Sequence, residues 1–241
     1  MDTPSNLKIS RPYVTNFYAN YKYGFTLVEL LACIAIIATL GAILIPAVGH
    51  VRKKGEAATC ASNLRQIGAA FQMYATDNNG VLPLEHSTEA QKLDGKEWYY
   101  PNVLATYVPP LEWAAEAQGN ARGGVWQCPS IDEETLSWGG GYSTNRSHVI
   151  LPSADVSNMV YLSQVARPAE IVMIGDGWYA SREKTWISMQ CPECRSWGKT
   201  TEANPIHDGA ANMCFLDGHV ELIDYEDLAA NKNDMFGHHH L

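Results

Sequence analysis

Residues 25–48 read FTLVELLACIAIIATLGAILIPAV, and Glu29 is the only charged residue among them. At a rise of about 1.5 Å per residue, a helix of this length spans about 36 Å, which is enough to cross a hydrocarbon core of about 30 Å. A secretory signal peptide has an apolar run of only about 7–15 residues. The rest of the chain is not apolar enough to enclose this stretch in a soluble core. The stretch therefore predicts a membrane-spanning helix.

The remainder of the chain differs from this segment in charge. Its 241 residues contain 17 Lys and Arg against 26 Asp and Glu, a formal net charge of −9. Residues 1–24 carry +2, residues 25–77 carry +1 and residues 78–241 carry −12. An acidic body excludes a protein that binds nucleic acid by neutralising phosphates, so we expect no nucleic-acid partner. With 46% apolar and 18% charged residues, the chain is expected to fold.

The start of the apolar segment carries a motif. Residues 22–29 read KYGFTLVE, and a carboxylate inside a membrane helix is unfavourable unless it is paired. The motif resembles the prepilin processing site of type IV pilins and type II secretion pseudopilins. The resemblance implies that a membrane peptidase cuts after Gly24 and that the new N-terminal Phe25 is methylated. It also implies that Glu29 pairs with the N-terminal amine of a neighbouring subunit, and that residues 1–24 are a leader.

The same resemblance implies a structural subunit rather than an enzyme. Such a subunit self-associates into a type IV pilus or a secretion-type pseudopilus, with related minor pilins, the prepilin peptidase and an assembly platform as partners. Its implied location is the inner (cytoplasmic) membrane, crossed once, with an extracytoplasmic head in a surface or periplasmic filament. The alternative from another class is a membrane-anchored extracytoplasmic binding module, for a glycan or an exported polymer, that does not polymerise.

The helix is expected to continue beyond the membrane. Over residues 49–77, small and apolar residues recur every third or fourth position, which is the pattern of a helix that packs one stripe against a core. Asn78-Asn79-Gly80 then supplies residues that tolerate a left-handed helix end. The sequence thus predicts one helix with a membrane-spanning half at 25–48 and an amphipathic half at 49–77. Pro46 interrupts it, either as a simple kink or, as in related pilins, as a segment that extends during assembly.

Residues 78–241 are expected to form a globular head. The fold class is α+β, with the long N-terminal helix packed on an antiparallel sheet in a pilin-like layout. Asp217-Gly218 lies between two β-rich runs and predicts a hairpin with a type I′ turn, in which both residues have positive φ. Strands are also expected at 125–128 and at 170–174, where Gly175-Asp176-Gly177 would end the second one.

The C-terminal region carries a second resemblance. His207, nine further residues and then Asp217-Gly218 resemble the His-x9-Asp-Gly element of a large bacterial family of prepilin-like proteins. Cys128-Pro129-Ser130 and the stretch from Pro168 to Asp176 resemble two more elements of that family, whose common Arg before the His is Ile206 here. The resemblance implies an architecture more than an activity.

Three side chains near this element raise the question of metal binding or catalysis. Asp217 and Gly218 are expected to serve the turn, and His207 to pin the hairpin through backbone hydrogen bonds. A metal site or a hydrolase built on His207, Asp217 and His219 stays open as an alternative. Asp224, Glu226 and Asp227 are calcium candidates, but they lack a recognisable ligand-loop spacing. No cofactor is therefore expected, with zinc or calcium as the alternatives.

Six cysteines are present, of which Cys33 and Cys60 fall on the predicted helix. An extracytoplasmic head meets oxidising conditions, which favour disulfides, but the sequence does not fix their pairing. Zinc is a second possibility, since Cys191 and Cys194 have zinc-knuckle spacing and His207 is a candidate for a further ligand. Free thiols are the third. The four head cysteines are Cys128, Cys191, Cys194 and Cys214.

Overall fold

The computed structural model describes residues 24–85, 103–108, 112–113, 121–122, 124–132, 134–136, 140–150, 159–179, 188–189 and 201–237. The chain divides into two compact units, Met1–Ala47 and Val48–Leu241. One helix passes from the first unit into the second.

Helix α1 comprises Leu27–Asp77, 51 residues. In the described part of the chain it is the one helix long and apolar enough to span a membrane, and the rest of the protein does not cover its apolar window. The helix ends where the sequence predicts. Asn79 and Gly80 have positive φ angles of 57° and 84°, and the Gly80 N–H donates to the carbonyl of Ala75 at 2.7 Å. The predicted long helix is confirmed.

The head is built on an antiparallel sheet. Strands β3 (Tyr142–Asn145), β4 (Val172–Tyr179), β7 (Ala210–Phe215) and β8 (Val220–Asp224) lie side by side in that order, each antiparallel to the next. Two short strands extend it: β5 (Ser188–Met189) pairs in parallel with β3, and β6 (Thr201–Ala203) pairs with β4 beyond the end of β7. A separate two-stranded sheet pairs β1 (Glu112–Trp113) with β2 (Ala121–Arg122). The α+β fold is confirmed.

Both faces of strand β7 are covered. Its six residues are all buried, and successive side chains of a strand point to opposite faces of the sheet. Cys214 belongs to the cluster that includes Leu64, Ile67 and Phe71 of α1. Met213 and its neighbours two residues away belong to the second, which includes Leu228 of the C-terminal helix α2 (Tyr225–Met235). The sheet therefore lies between two helices, of which only α1 is predicted from the sequence.

Helix α1 approaches β7 closely at Gly68. A Cβ at this position would lie 2.6 Å from the Sγ of Cys214, so only glycine permits the observed distance. Polar side chains of α1 also bind other parts of the head near this contact. Asn63 Nδ2 donates to the carbonyl of Gln127 and to Tyr142 Oη, each at 3.2 Å, and Gln72 Nε2 donates to the carbonyl of Leu216. Burial raises the pKa of Tyr142, so its hydroxyl stays protonated and neutral.

The predicted strand at 125–128 is wrong. Gly124–Trp126 forms a single turn of 3-10 helix, which starts from a positive φ of 59° at Gly124. The apolar residues of this segment are buried without forming a strand. Trp126 is 1% exposed and lies in the main core, and Cys128 forms a disulfide with Cys60 of α1. A short apolar run fits a tight turn or a strand equally well, and tertiary contacts decide between them.

Strand β4 also differs from expectation, because it runs through Gly175-Asp176-Gly177 instead of ending there. The two glycines are required by close packing and not by a turn. A Cβ at Gly175 would lie 2.7 Å from the carbonyl oxygen of Asn212, and a Cβ at Gly177 would collide with the side chain of Ser143. Glycine within a strand marks a close approach of this kind.

The predicted hairpin joins β7 and β8, but its turn is not type I′. Gly218 has a φ of 92°, whereas Asp217 is not in the positive-φ region. The Gly218 N–H donates to the carbonyl of Phe215 at 2.9 Å, and the Phe215 N–H donates to the carbonyl of His219 at 2.9 Å. Three residues thus form the connection, with glycine in the left-handed position, which is the next most common hairpin geometry.

Candidate functional site

The N-terminal motif opens helix α1. Gly24 and Phe25 lie ahead of the helix, and Phe25 is 72% exposed. The first helical hydrogen bond runs from the Leu30 N–H to the carbonyl of Thr26 at 3.2 Å, which makes Thr26 the capping residue. The Gly24–Phe25 peptide bond therefore lies ahead of the helix, on an exposed segment.

Thr26 and Glu29 form a reciprocal cap. Glu29 Oε2 accepts hydrogen bonds from the Thr26 N–H at 2.9 Å and from the Thr26 hydroxyl at 2.7 Å, while the Glu29 N–H lies 3.3 Å from Thr26 Oγ1. This is a capping box, in which a Thr and a Glu three residues later satisfy the free N–H groups of the first turn. Glu29 thus has a local role in addition to the pairing with an amine that the prepilin resemblance implies. The Thr-x-x-Glu spacing is the sequence signal for this role.

Pro46 lies inside α1, and the helix continues through it to Asp77. A proline has no N–H, so the hydrogen bond to the carbonyl of Ala42 is missing at this point. Both residues lie on the exposed, apolar part of the helix. The kink and the extension remain alternative predictions for this segment.

A second group of interacting residues lies in the head, where Asp176 holds the loop between β6 and β7, residues 204–209. The carbonyl of Asp176 accepts the Asn204 N–H at 2.9 Å, and its Oδ2 accepts the Asn212 N–H at 2.7 Å. The Nε2 of His207 lies 3.2 Å from the same Oδ2. His207 is further fixed by two backbone hydrogen bonds with Ala210, at 3.1 and 3.2 Å. Asp176 thus positions the chain before the imidazole through its backbone carbonyl and the chain after it through its carboxylate.

The head cysteines are arranged differently from expectation. Cys128 forms a disulfide with Cys60 of α1, and not with another head cysteine. Cys214 is a buried free thiol, so the prediction that it belongs to a disulfide is wrong. Cys191 and Cys194 lie outside the described residues. The disulfide lies beside the imidazole, with Cys128 Sγ 3.7 Å from His207 Nε2.

Asp217 and His219 form a pair of their own. The Asp217 Oδ1 accepts the His219 N–H at 3.1 Å and lies 2.6 Å from His219 Nδ1. The imidazole of His219 also stacks on Phe215, with ring centroids 4.3 Å apart. Burial opposes ionisation of Asp217, but the hydrogen bonds from His219 outweigh it and lower the pKa of this carboxyl. His207, Asp217 and His219 therefore do not converge on one point, and the proposed triad does not form.

The acidic residues after the hairpin do not lie in a loop. Asp224 ends strand β8, and Glu226 and Asp227 lie in the first turn of α2. Carboxylates in the first turn of a helix are stabilised by its dipole, which explains their position without a metal ion. Helix α2 was not predicted from the sequence because its apolar stripe is weak. Among its residues with described side chains, Leu228 is the one that is buried.

Comparison with known proteins was consistent with the N-terminal geometry. The family model described as "Prokaryotic N-terminal methylation motif" matches residues 19–45. The type IV wide pilus major component PilA4 of Thermus thermophilus is 45% identical over 56 residues, which cover 23% of this chain and 43% of that protein. The match thus spans less than half of the relative's length. No solved structure matches the chain.

The two similarities and the fold agree. The methylation motif covers the exposed segment at Gly24-Phe25 and the start of α1, and the apolar helix fits a membrane anchor. A long apolar N-terminal helix followed by an antiparallel sheet is a pilin-like layout. The similarity to a pilus component points to a structural subunit and not to an enzyme. The chain thus carries a prokaryotic N-terminal methylation motif and is similar over part of its length to a type IV pilus component.

Proposed function

We propose that this chain is the precursor of a subunit that assembles into a type IV pilus or a secretion-type pseudopilus. A prepilin peptidase cuts between Gly24 and Phe25, and the new amine of Phe25 is methylated. The observation that carries the proposal is the match of residues 19–45 to the N-terminal methylation motif at the mouth of an exposed apolar helix.

Assembly would use the apolar part of α1. Its large apolar residues are exposed from Phe25 to Val51, with exposed fractions of 53–77%. Lipid covers such a surface in the membrane, and the helices of neighbouring subunits would cover it in a filament. Self-association is supported by the similarity to a pilus component, while related minor pilins and an assembly platform are the further partners we propose.

Glu29 would guide this association through its charge. It is the only charged residue in 25–48, and its carboxylate accepts two hydrogen bonds from Thr26 of its own chain. Those bonds reduce the cost of placing the carboxylate in an apolar environment, but they do not remove the charge. A free amine at Phe25 of a neighbouring subunit would neutralise it, and the two buried ions are less unfavourable together than apart.

The proposed location is the inner (cytoplasmic) membrane, which α1 crosses once, with the head extracytoplasmic. The Cys60–Cys128 disulfide supports this side for the head, because disulfides persist in oxidising compartments. The alternative is a glycan-binding module, which would need aromatic rings at the surface. Among the described residues of the head, Trp126 and Tyr142 are buried and present no ring to a ligand, while Tyr161 and Tyr225 are 39% and 38% exposed.

The direct test of processing is the N-terminal residue of the protein from its native membranes. We expect Edman sequencing and intact mass to give a chain that starts at N-methyl-Phe25. A Gly24→Val variant should retain residues 1–24, because the added side chain blocks the cut, and should not appear in filaments. Filaments built from chains that still carry residues 1–24 would overturn the proposal.

The role of Glu29 is tested by variants that separate charge from capping. Glu29→Gln keeps a hydrogen-bond acceptor for the Thr26 N–H but removes the charge, while Thr26→Val removes the hydroxyl and keeps the charge. If the charge directs assembly, filament yield by electron microscopy falls with Glu29→Gln and is largely kept with Thr26→Val. The reverse order would show that capping alone matters. Intact filaments but lost polymer uptake on deletion of the gene would favour the binding module.

A further inference from the structure

Four buried side chains meet at one point of the head. They come from α1, from the turn after Trp126, from β4 and from the loop before β7. They are Cys60, Cys128, Asp176 and His207, and one ligand atom from each lies within 4.8 Å of all the others. Two thiols, an imidazole and a carboxylate are the donor types that zinc prefers in proteins. We propose that the four side chains bind one Zn²⁺ when the Cys60–Cys128 disulfide is reduced.

The distances already resemble those of a tetrahedral site. With zinc bonds of about 2.3 Å to sulfur and about 2.0 Å to nitrogen and oxygen, the edges of the tetrahedron are about 3.6 Å for S···N and about 3.3 Å for N···O. Cys128 Sγ lies 3.7 Å from His207 Nε2, and that nitrogen lies 3.2 Å from Asp176 Oδ2. The two sulfurs must separate to about 3.8 Å, and reduction of their bond allows this.

The carboxylate of Asp176 could accept a further interaction at this point. This residue is fully buried. Oδ1 has no hydrogen-bond partner among the described residues, while Oδ2 accepts the Asn212 N–H. A buried carboxylate oxygen without a partner is unfavourable, and a cation beside it would remove that penalty. The hydrogen bond from Asn212 would remain and orient the carboxylate, as the outer contacts of zinc ligands do.

A cavity of about 380 Å³ reaches this cluster at His207, which lines it together with Ser130. A small dithiol and a hydrated zinc ion both fit such a space. The lining carries both signs of charge, with Lys53 and Lys54 beside Glu56, Asp208 and Asp224. The ligands of the site, two thiolates and one carboxylate, carry one more negative charge than Zn²⁺ neutralises.

The chemistry balances with a dithiol as the reductant. The dithiol transfers two electrons to the Cys60–Cys128 bond, which becomes two thiols, and is itself oxidised to a cyclic disulfide. Zn²⁺ then replaces the two thiol protons, which pass to the solvent, and the neutral imidazole of His207 binds through Nε2 with its one N–H on Nδ1. The disulfide would thus link Cys60 to Cys128 in the oxidised protein, and the metal ion would link the same two residues in the reduced protein.

The test uses the full chain in detergent with Cys191→Ser and Cys194→Ser, which remove the other pair with zinc-knuckle spacing. The protein is reduced with dithiothreitol, separated from it without oxygen, and given Zn²⁺ or Co²⁺. We expect one metal ion per chain after gel filtration of the reduced protein and none for the oxidised protein. Co²⁺ should show the visible bands of a tetrahedral site and a thiolate charge-transfer band. A reduced protein that retains no metal overturns the proposal.

Further variants locate the metal. In the same background, His207→Ala and Cys128→Ser should weaken zinc binding by more than about 100-fold, since the loss of outer contacts alone weakens it by about 10–100-fold. Cys214→Ser is the matched control, because Cys214 is also buried but lies outside the cluster, and it should bind zinc as before. Equal binding by His207→Ala contradicts the site. If reduction destabilises the head, zinc must raise the thermal unfolding midpoint of the reduced protein. An unchanged midpoint would also contradict the proposed site.

Discussion

Cys214 is a free thiol at the point where α1 approaches β7 most closely. Burial, with a smaller contribution from the charge of Asp217, raises the pKa of Cys214 to about 12. Between pH 9 and about 12 the unfolded chain therefore loses a proton that the folded chain keeps, and stability falls as the pH rises. We expect the full chain to unfold at a lower temperature at pH 10 than at pH 8, and Cys214→Ala to reduce this difference.

The same environment predicts the reactivity of Cys214. The thiolate is the nucleophile, and neither the thiolate nor access is available in the folded head. We expect iodoacetamide at pH 8 to leave Cys214 unlabelled until urea unfolds the protein, as resolved by mass spectrometry of its peptide. Labelling in the native state at the rate of an exposed cysteine would contradict the described packing.

Residue roles were predictable from the sequence only where they depend on neighbours in the chain. Thr26 and Glu29 are three residues apart, so their capping box is a local pattern. Cys60 and Cys128 are 68 residues apart, and nothing in the spacing of six cysteines selects this pair. Asp176 was expected to belong to a turn, because its contact with His207 depends on how β4, β6 and β7 pair. Long-range pairing thus set the limit of prediction for the head site.

Strand β4 depends on Gly175 for its contact with β7. A Cβ at this position would lie 2.7 Å from a backbone oxygen, which a small side-chain movement cannot relieve. We expect Gly175→Ala to destabilise the head by about 1–3 kcal/mol, the usual range for overpacking. The measurement is the thermal unfolding of the full chain in detergent. Gly55→Ala is the matched control, since a Cβ there meets nothing within 4 Å and alanine favours a helix, so its unfolding temperature should not fall.

Elements with a strong local signal were predicted well. Apolar periodicity and the Asn-Asn-Gly end defined α1, and Asp217-Gly218 defined the hairpin of β7 and β8. Elements that gain their stability from other parts of the chain were missed or wrong. Helix α2 has little amphipathic pattern of its own, and the turn at Gly124–Trp126 is fixed by a disulfide and a buried tryptophan.

The head as a whole includes the second half of α1. Eight residues of this helix are buried in the unit Val48–Leu241, and they fill the main core. A fragment of residues 48–241 should therefore fold in solution, with sharp thermal unfolding, while a fragment of residues 78–241 should aggregate or lack a cooperative transition. A folded 78–241 fragment would show that the sheet and α2 suffice. The eight are Cys60, Asn63, Leu64, Ile67, Gly68, Ala70, Phe71 and Ala75.

The Cys60–Cys128 disulfide ties this helix to the head over 68 residues of sequence. A bond that closes a loop of this length restricts the unfolded chain and stabilises the folded state by about 2–4 kcal/mol. In the presence of a metal chelator, we expect Cys60→Ser to lower the thermal unfolding midpoint of the full chain by several degrees. Added reductant should lower the midpoint of the parent chain and leave that of the variant unchanged.

The capping box at the start of α1 bears on whether the proposed cut after Gly24 depends on folding. Both partners, Thr26 and Glu29, would stay in the product, and the N–H that Glu29 accepts belongs to the peptide between Phe25 and Thr26, which this cut leaves whole. Precursor and product would consequently share one helix start. The proposed peptidase would then be free to act before the head has folded, while it folds, or long afterwards, and the order of events would depend on encounter rather than on conformation.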